Sequence, residues 1–176
     1  MSMCEHARLM AQYNEWMNTR LYGAALTLPA DAVLADKGAF FGSLYGTLSH
    51  IVLGDTIWLK RFSMHPAAHA SLDPVRAMAA PASYDEREGN LEALRERRIA
   101  LDKIIGEWAA ELAQADFGHV LKYNNVKGMP FSRPFSGLVT HFFNHQTHHR
   151  GQATALLSQA GVDMGTTDLL MLVPEA

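Results

Sequence analysis

Hydrophobic residues recur at helical spacing along the chain, and the first two such stretches predict two long helices. Positions three and four residues apart share one face of an α-helix. The first apolar stripe ends before Pro29 and consists of Leu9, Tyr13, Trp16, Met17, Ala24 and Leu28. Small and polar residues over 30–42 predict a linker. Ser43 then predicts the N-cap of a second helix, which runs to about Phe62.

A third helix is expected after a proline-rich segment. Residues 63–82 contain three prolines and predict a surface loop. The helix is predicted to start near Ser83, with Glu86 completing a capping box. Its stripe, which is apolar except at one position, consists of Leu91, Leu94, Arg98, Leu101, Ile105, Trp108 and Leu112.

Arg98 is the charged position in that stripe. We expect its aliphatic stem to pack against the core while the guanidinium reaches water. The alternative places the guanidinium over a polar pocket inside the protein.

The segment before the last helix has a different composition. Residues 117–135 contain Asn-Asn and Lys-Gly pairs and predict a small hairpin or an extended loop. Pro130 and Pro134 argue against a regular central strand, because proline cannot donate a ladder hydrogen bond.

The fourth helix is predicted from Ser136 to about Ala160, and Gly161 follows as a residue suited to end it. The apolar tail is expected to cover one end of the fold and contains Leu169, Leu170, Leu172 and Val173. Four amphipathic helices in a single domain over residues 1–176 predict an all-α four-helix bundle.

Composition and charge exclude several classes of function. The net charge is −3 and no basic stripe is present, which argues against nucleic-acid binding. No apolar stretch reaches the length of a membrane span. The N-terminus shows no secretory signal and Cys4 is the single cysteine, so a cytoplasmic location is expected.

The histidines are the main candidates for chemistry. Four of the nine fall within nine residues of the last helix and share a sector of roughly 100°: His141, His145, His148 and His149. Histidines at i and i+4 can chelate one ion, and both His145 with His149 and His141 with His145 have that spacing. His50 lies in an apolar run of the second helix and is the candidate for a third ligand. A core this large does not need a metal in order to fold, so a metal site is expected to serve function.

Three stretches carry a resemblance to a known family. The string from His141 to Gln152 resembles the signature of the DinB family. Residues 13–18 resemble the family in the first helix. Residues 44–50, with Asp55 and Trp58 after them, resemble it in the second helix. The resemblance implies an up-down-down-up four-helix bundle, often a homodimer. It also implies a divalent metal ion whose ligands would be His50, His145 and His149.

Three imidazoles leave an ion with open positions, which is typical of catalytic sites. Zinc, nickel, iron and manganese all suit such ligands. Relatives of this fold include thiol S-transferases and a maleylpyruvate isomerase, so the resemblance implies an enzyme that activates a low-molecular-weight thiol against a small-molecule substrate.

Two other functions remain open. One is a metal-dependent hydrolase that uses a metal-bound water, with His141 assisting as the base. The other is a stress-response protein that binds a metal or ligand without catalysis. His141 or His148 as a fourth ligand would favour the second, and His50 facing away from the last helix would favour a metal-free interaction module.

The remaining polar and aromatic residues near these motifs have simpler interpretations. Arg150 either binds an anionic substrate or pairs with an acid, and the pairing is the commoner arrangement. Helix–helix packing or hydrogen bonding is expected of Asp55, Asn14, Asn18, Trp16 and Trp58.

Overall fold

A computed structural model describes residues 1–79, 81 and 89–175. Four long helices, α1, α3, α5 and α6, form a bundle, and a two-stranded hairpin precedes the last of them. In chain order the elements are α1 (Met3–Ala25), α2 (Ala30–Leu34), α3 (Leu44–Phe62), α4 (Asp73–Ala77), α5 (Leu91–Glu111), β1 (Val120–Asn124), β2 (Pro130–Pro134) and α6 (Phe135–Gln159). The predicted all-α bundle with a small hairpin is confirmed.

Helices α1 and α5 run in opposite directions. Near the start of α1, the Arg8 guanidinium donates a hydrogen bond to the carbonyl oxygen of Ala110, late in α5. Further along α1, the Asn14 amide donates to Asp102, which lies earlier in α5. A later position on one helix therefore meets an earlier position on the other.

Helices α3 and α5 run in the same direction. Asp55 of α3 pairs with Arg98 of α5. About two turns later in α3 and nearly three turns later in α5, the Phe62 ring stacks on Trp108, with 5.0 Å between the ring centroids. Parallel neighbours need a long connection, which the chain between α3 and α5 provides.

Helices α3 and α6 run in opposite directions. Phe62, at the end of α3, contacts Phe135 at the start of α6. Trp58, one turn earlier, contacts His141, which lies later in α6. With α1 opposite to α5, these pairings give the up-down-down-up order that the resemblance implied.

Most of the predicted helix ends are confirmed. Ser43 accepts a hydrogen bond from the backbone N–H of Gly46 and so caps α3. Gly161 has φ of +80° just after α6, a conformation that glycine adopts without strain. Helix α5 begins later than expected, at Leu91 with Asn90 as its cap; Ser83 and Glu86 lie outside the described residues.

Three loop and tail predictions were wrong in part. The 30–42 linker contains helix α2, and the 63–82 segment contains a 3-10 turn and α4. Leu72 and Val75 are fully buried there, which explains why the segment folds against the bundle. The tail lies along the side of α1, where Tyr13 donates to the carbonyl oxygen of Thr167, and Leu170 remains 75% exposed.

A buried polar network connects α1, α3 and α5, and Arg150 of α6 joins it through Asn14. Arg98 is 1% exposed and forms ion pairs with Asp55 and Asp102, the second at 2.9 Å. Asn14 and Asn18 of α1 donate hydrogen bonds to Asp102 at 2.8 and 2.9 Å. The expected outward-pointing Arg98 was therefore wrong, because two buried carboxylates neutralise its charge inside the bundle.

No helix within the described ranges combines the length and apolar character that crossing a membrane requires.

We predict that Arg98→Met destabilises the protein by about 3–5 kcal/mol, because it leaves two buried carboxylates without their cation. Urea unfolding measures the change. Arg95→Met removes an exposed arginine from the same helix and should change the free energy of unfolding by less than about 0.5 kcal/mol. Equal effects of the two substitutions would show that the network contributes little stability.

Candidate metal centre

Antiparallel packing of α3 on α6 aligns two rows of residues. On α3 the row is His50, Gly54 and Trp58, each four residues apart and hence on one face. The His50 ring faces both His145 and His149 of α6, with ring centroids 5.1 and 4.6 Å apart. His50 thus faces the last helix, which counts against the metal-free interaction module.

The three predicted ligands converge. One nitrogen from each of His50, His145 and His149 lies within 4.8 Å of the others, and this arrangement could hold a metal ion. The Nε2 atoms of His50 and His145 are 3.1 Å apart. Two nitrogens bound tetrahedrally to one zinc ion at about 2.0–2.1 Å would be about 3.3 Å apart, so the spacing fits a shared ion.

The protonation of the triad also suits metal binding. His149 Nδ1 lies 2.8 Å from Gln152 Oε1, and donation to that oxygen leaves the Nε2 lone pair of His149 for the triad. Burial, together with His149 and His50, lowers the pKa of His145 to about 3. Burial also lowers the pKa of His149. These imidazoles are therefore neutral at pH 7, the form in which histidine binds metals.

Gly54 makes room for His145. A Cβ atom added at Gly54 would lie 2.9 Å from Cε1 of the His145 ring, closer than real Cβ contacts. Glycine in a helix interior costs about 0.5–1 kcal/mol relative to alanine, so its presence here has a steric reason. The signal was visible in the sequence, since Gly54 lies one turn from His50 on the same face.

Phe41 covers one side of the triad. Its ring stacks on His50 at 4.0 Å between centroids and meets His149 edge-on at 5.3 Å. A tight turn that ends at Gly42, with φ of +76°, precedes α3 and carries this ring. The sequence did not predict this role, because Phe41 lies in an irregular segment with no periodicity.

His141 and His148 lie beside the triad without joining it. The His141 ring is 5.9 Å from that of His145 and contacts Trp58 at 5.0 Å. His148 is exposed, with Nε2 3.3 Å from the Gln152 amide nitrogen. In the described part of the chain, no fourth histidine, cysteine, aspartate or glutamate completes the cluster. Among the described residues, no side chain of these four types therefore occupies a fourth ligand position.

Arg150 has a structural role that neither sequence alternative anticipated. It is buried, donates hydrogen bonds to Asn14 and Thr147, and lies 5.2 Å over the Tyr13 ring. Burial lowers the pKa of Arg150 to about 10, which still leaves it charged at pH 7. Asn14 and Asn18 are buried as expected, whereas Trp16 and Trp58 are only half-buried.

A cavity of about 470 Å³ lies one turn along α6 from the triad, between that helix, α3 and the hairpin. Its lining consists of Trp58, Tyr123, Arg133, Pro134, Gly137, Leu138 and His141. Burial, together with Arg61 and Arg133, lowers the pKa of His141. Tyr123 and Arg133 were missed as site residues because the hairpin that carries them is distant in sequence from the histidine motif.

A second histidine cluster lies near the start of α6. His65 and His69 are buried, and His69 Nε2 lies 3.1 Å from a carboxylate oxygen of Asp116. The His65 ring contacts Phe135, the first residue of α6. These two histidines are packing residues rather than the surface-loop residues that the sequence predicted.

Comparison with known proteins agrees with the motifs. The model of the DinB family matches residues 3–174. Protein DinB of Bacillus subtilis (strain 168) is 28% identical over 166 residues, covering 94% of this chain and 92% of the relative. No solved structure matches the chain.

We predict that His50→Ala, His145→Ala and His149→Ala each abolish stoichiometric metal binding and leave most of the helix content. The bundle core is large and does not depend on an ion. Elemental analysis measures the metal and circular dichroism the helix content. Global unfolding of all three metal-free variants would contradict the prediction.

His148→Ala is the matched control, since it removes an exposed imidazole from the same helix and should leave the metal content unchanged. His65→Ala and His69→Ala should also retain the metal. Loss of metal in a folded variant of any of these three would show that the site lies elsewhere.

We predict that Gly54→Ala lowers metal affinity roughly 10- to 100-fold, the range for groups that orient a metal ligand. The new methyl group would displace the His145 ring. Gly106→Ala is the control, because Gly106 is exposed on α5 and an added Cβ atom there meets nothing within 4 Å. This substitution should stabilise the fold without changing metal affinity. Competition with a chromogenic chelator measures affinity, and unchanged affinity in Gly54→Ala would contradict the steric role.

Proposed function

The chain belongs to the DinB family, and from this premise we propose that it is a metal-dependent enzyme acting on a small molecule. The proposed reaction is S-transfer, in which a low-molecular-weight thiol is joined to an electrophilic substrate. The histidine triad would hold one divalent ion, and the cavity beside it would hold the substrate.

The observation that carries this proposal is the open triad next to a cavity. Three imidazoles converge, and no further acidic, histidine or cysteine side chain within the described ranges closes the cluster. Structural sites are normally closed by four protein ligands, whereas catalytic sites keep a position for water or substrate. The neighbouring cavity of about 470 Å³ is within the usual size range for small-molecule sites.

The donor set is compatible with zinc, nickel, iron or manganese. Such an ion, when bound, supplies Lewis acidity that lowers the pKa of a neighbouring thiol. The chain's own residues would do the rest. Gln152 fixes the tautomer of His149, Gly54 admits His145, and Phe41 excludes water from one side of the triad.

His141 is the residue that we assign to proton transfer. Its ring lines the cavity and is 5.9 Å from that of His145, between the proposed substrate and the triad. In the reaction the thiol gives its proton to His141, and the sulfur forms a bond to the electrophilic carbon. The bond from that carbon to the leaving group breaks, and the leaving group departs with the electron pair.

The test is metal analysis followed by a thiol-transfer assay. Protein purified without a tag or added metal should contain about one equivalent of one divalent ion. With glutathione or cysteine and 1-chloro-2,4-dinitrobenzene, the protein should form the thioether and release chloride. His145→Ala should lose both the metal and the rate.

His141→Gln should retain the metal but lower kcat about 100-fold, the usual minimum for loss of a general base. An unchanged rate in metal-free His145→Ala would contradict metal-dependent catalysis. Full metal occupancy without thioether formation for any of the four ions would favour a non-catalytic binding protein. Ester hydrolysis that needs no thiol would favour the hydrolase.

A further inference from the structure

The cavity beside the triad has an unusual charge balance. Arg133 is part of its lining, and no aspartate or glutamate is. Arg61 lies directly behind the cavity wall, with its guanidinium 4.5 Å from the Trp58 ring centroid and 4.8 Å from that of Tyr123. One cation therefore lines this cavity, and a second, which lines a neighbouring cavity, lies behind its aromatic wall; besides burial, both lower the pKa of His141 in a protein whose net charge is −3.

Neither arginine has a counter-ion among the residues that the structure describes. Within the described ranges, neither Arg61 nor Arg133 forms a hydrogen bond or an ion pair with a carboxylate, although Arg61 is only 9% exposed. Buried cations in proteins are normally paired, as Arg98 is with its two aspartates. Arg61 lacks such a partner, and together with the exposed Arg133 it leaves positive charge at this cavity that an anion from outside the chain would neutralise.

The walls of the cavity favour a flat, apolar molecule. Trp58 and Tyr123 meet at 5.5 Å between ring centroids with 63° between their planes, so they form two sides of a corner. Pro134 and Leu138 contribute the apolar surface between them. Aromatic walls with a few placed polar groups are the usual composition of small-molecule sites.

We propose that this cavity is an anion subsite that takes a small aromatic carboxylate, with the carboxylate on Arg133 and the ring against Trp58 and Tyr123. The guanidinium is a planar donor that suits a carboxylate, and Arg61 adds positive potential behind the rings. The proposal rests on the proposed function in one respect. It takes the aromatic carboxylate to be the class of substrate that is brought beside His141 and the triad.

The test is a titration of the chelator-treated protein with benzoate, followed through the indole N–H signals in NMR spectra. The protein has three tryptophans, and Trp58→Phe identifies the signal of Trp58. Benzoate should shift that signal and leave the signal of fully buried Trp108 unchanged. Benzamide, which has the same shape without the charge, should bind at least tenfold more weakly.

Arg133→Gln should weaken benzoate binding roughly tenfold, because one charge-assisted hydrogen bond is lost. Lys122→Gln is the matched control: it makes the same charge change on the exposed face of the same hairpin and should leave binding unchanged. Equal weakening by both substitutions would overturn the subsite, since it would show only a general effect of charge.

Two further results would overturn the subsite: equal affinity for benzoate and benzamide, or benzoate binding that requires the metal. The measurement is independent of the thiol-transfer assay. Benzoate binding to Arg133 without any transferase activity would leave the subsite standing while the proposed function fails. Transferase activity without benzoate binding would leave the proposed function standing while the subsite fails.

Discussion

The fold depends on the burial of Arg98 between Asp55 and Asp102. Complete burial raises the pKa of Asp55, and Arg98 opposes that effect. A charge that is taken out of water costs several kcal/mol unless it keeps a partner with good geometry. Because Arg98 and Asp55 come from two helices, sliding either helix by one turn would separate them. The ion pairs therefore favour a single register, which apolar side chains alone specify less strictly.

That register also places the histidines. Asp55 directly follows Gly54 on α3, and buried Gln146, whose side chain lowers the pKa of Asp55, directly follows His145 on α6. One face of this helix pair thus belongs to the buried polar network, and the adjoining face carries the triad. In the register that places Asp55 beside Gln146, Gly54 lies against the His145 ring. The His50 ring then also meets the His145 ring. The structural network and the candidate metal centre are set by the same packing of α3 on α6.

The sequence predicted the parts of this arrangement that depend on one helix at a time. The spacing of His145 and His149, the cap at Ser43 and the end at Gly161 follow from local geometry, and the structure agrees with each. The direction of Arg98 could not be predicted in that way, because its partner Asp55 lies on another helix. Short helices such as α4 were missed because they are stabilised by packing against the bundle rather than by their own periodicity.

The difference between paired and unpaired arginines separates structural residues from candidate functional ones. Arg98 is neutralised by carboxylates, and Arg150 is held by the Asn14 amide within the same buried network. At the cavity, Arg61 rests on two aromatic rings and Arg133 faces solvent, and neither meets a carboxylate in the described part of the chain. Arg61 thus differs from the other two buried arginines of the described residues, whose guanidinium groups meet carboxylate or amide oxygens. An anionic group bound at the cavity would supply Arg61 with a nearby counter-charge, and Arg133 would link the hairpin to the same site.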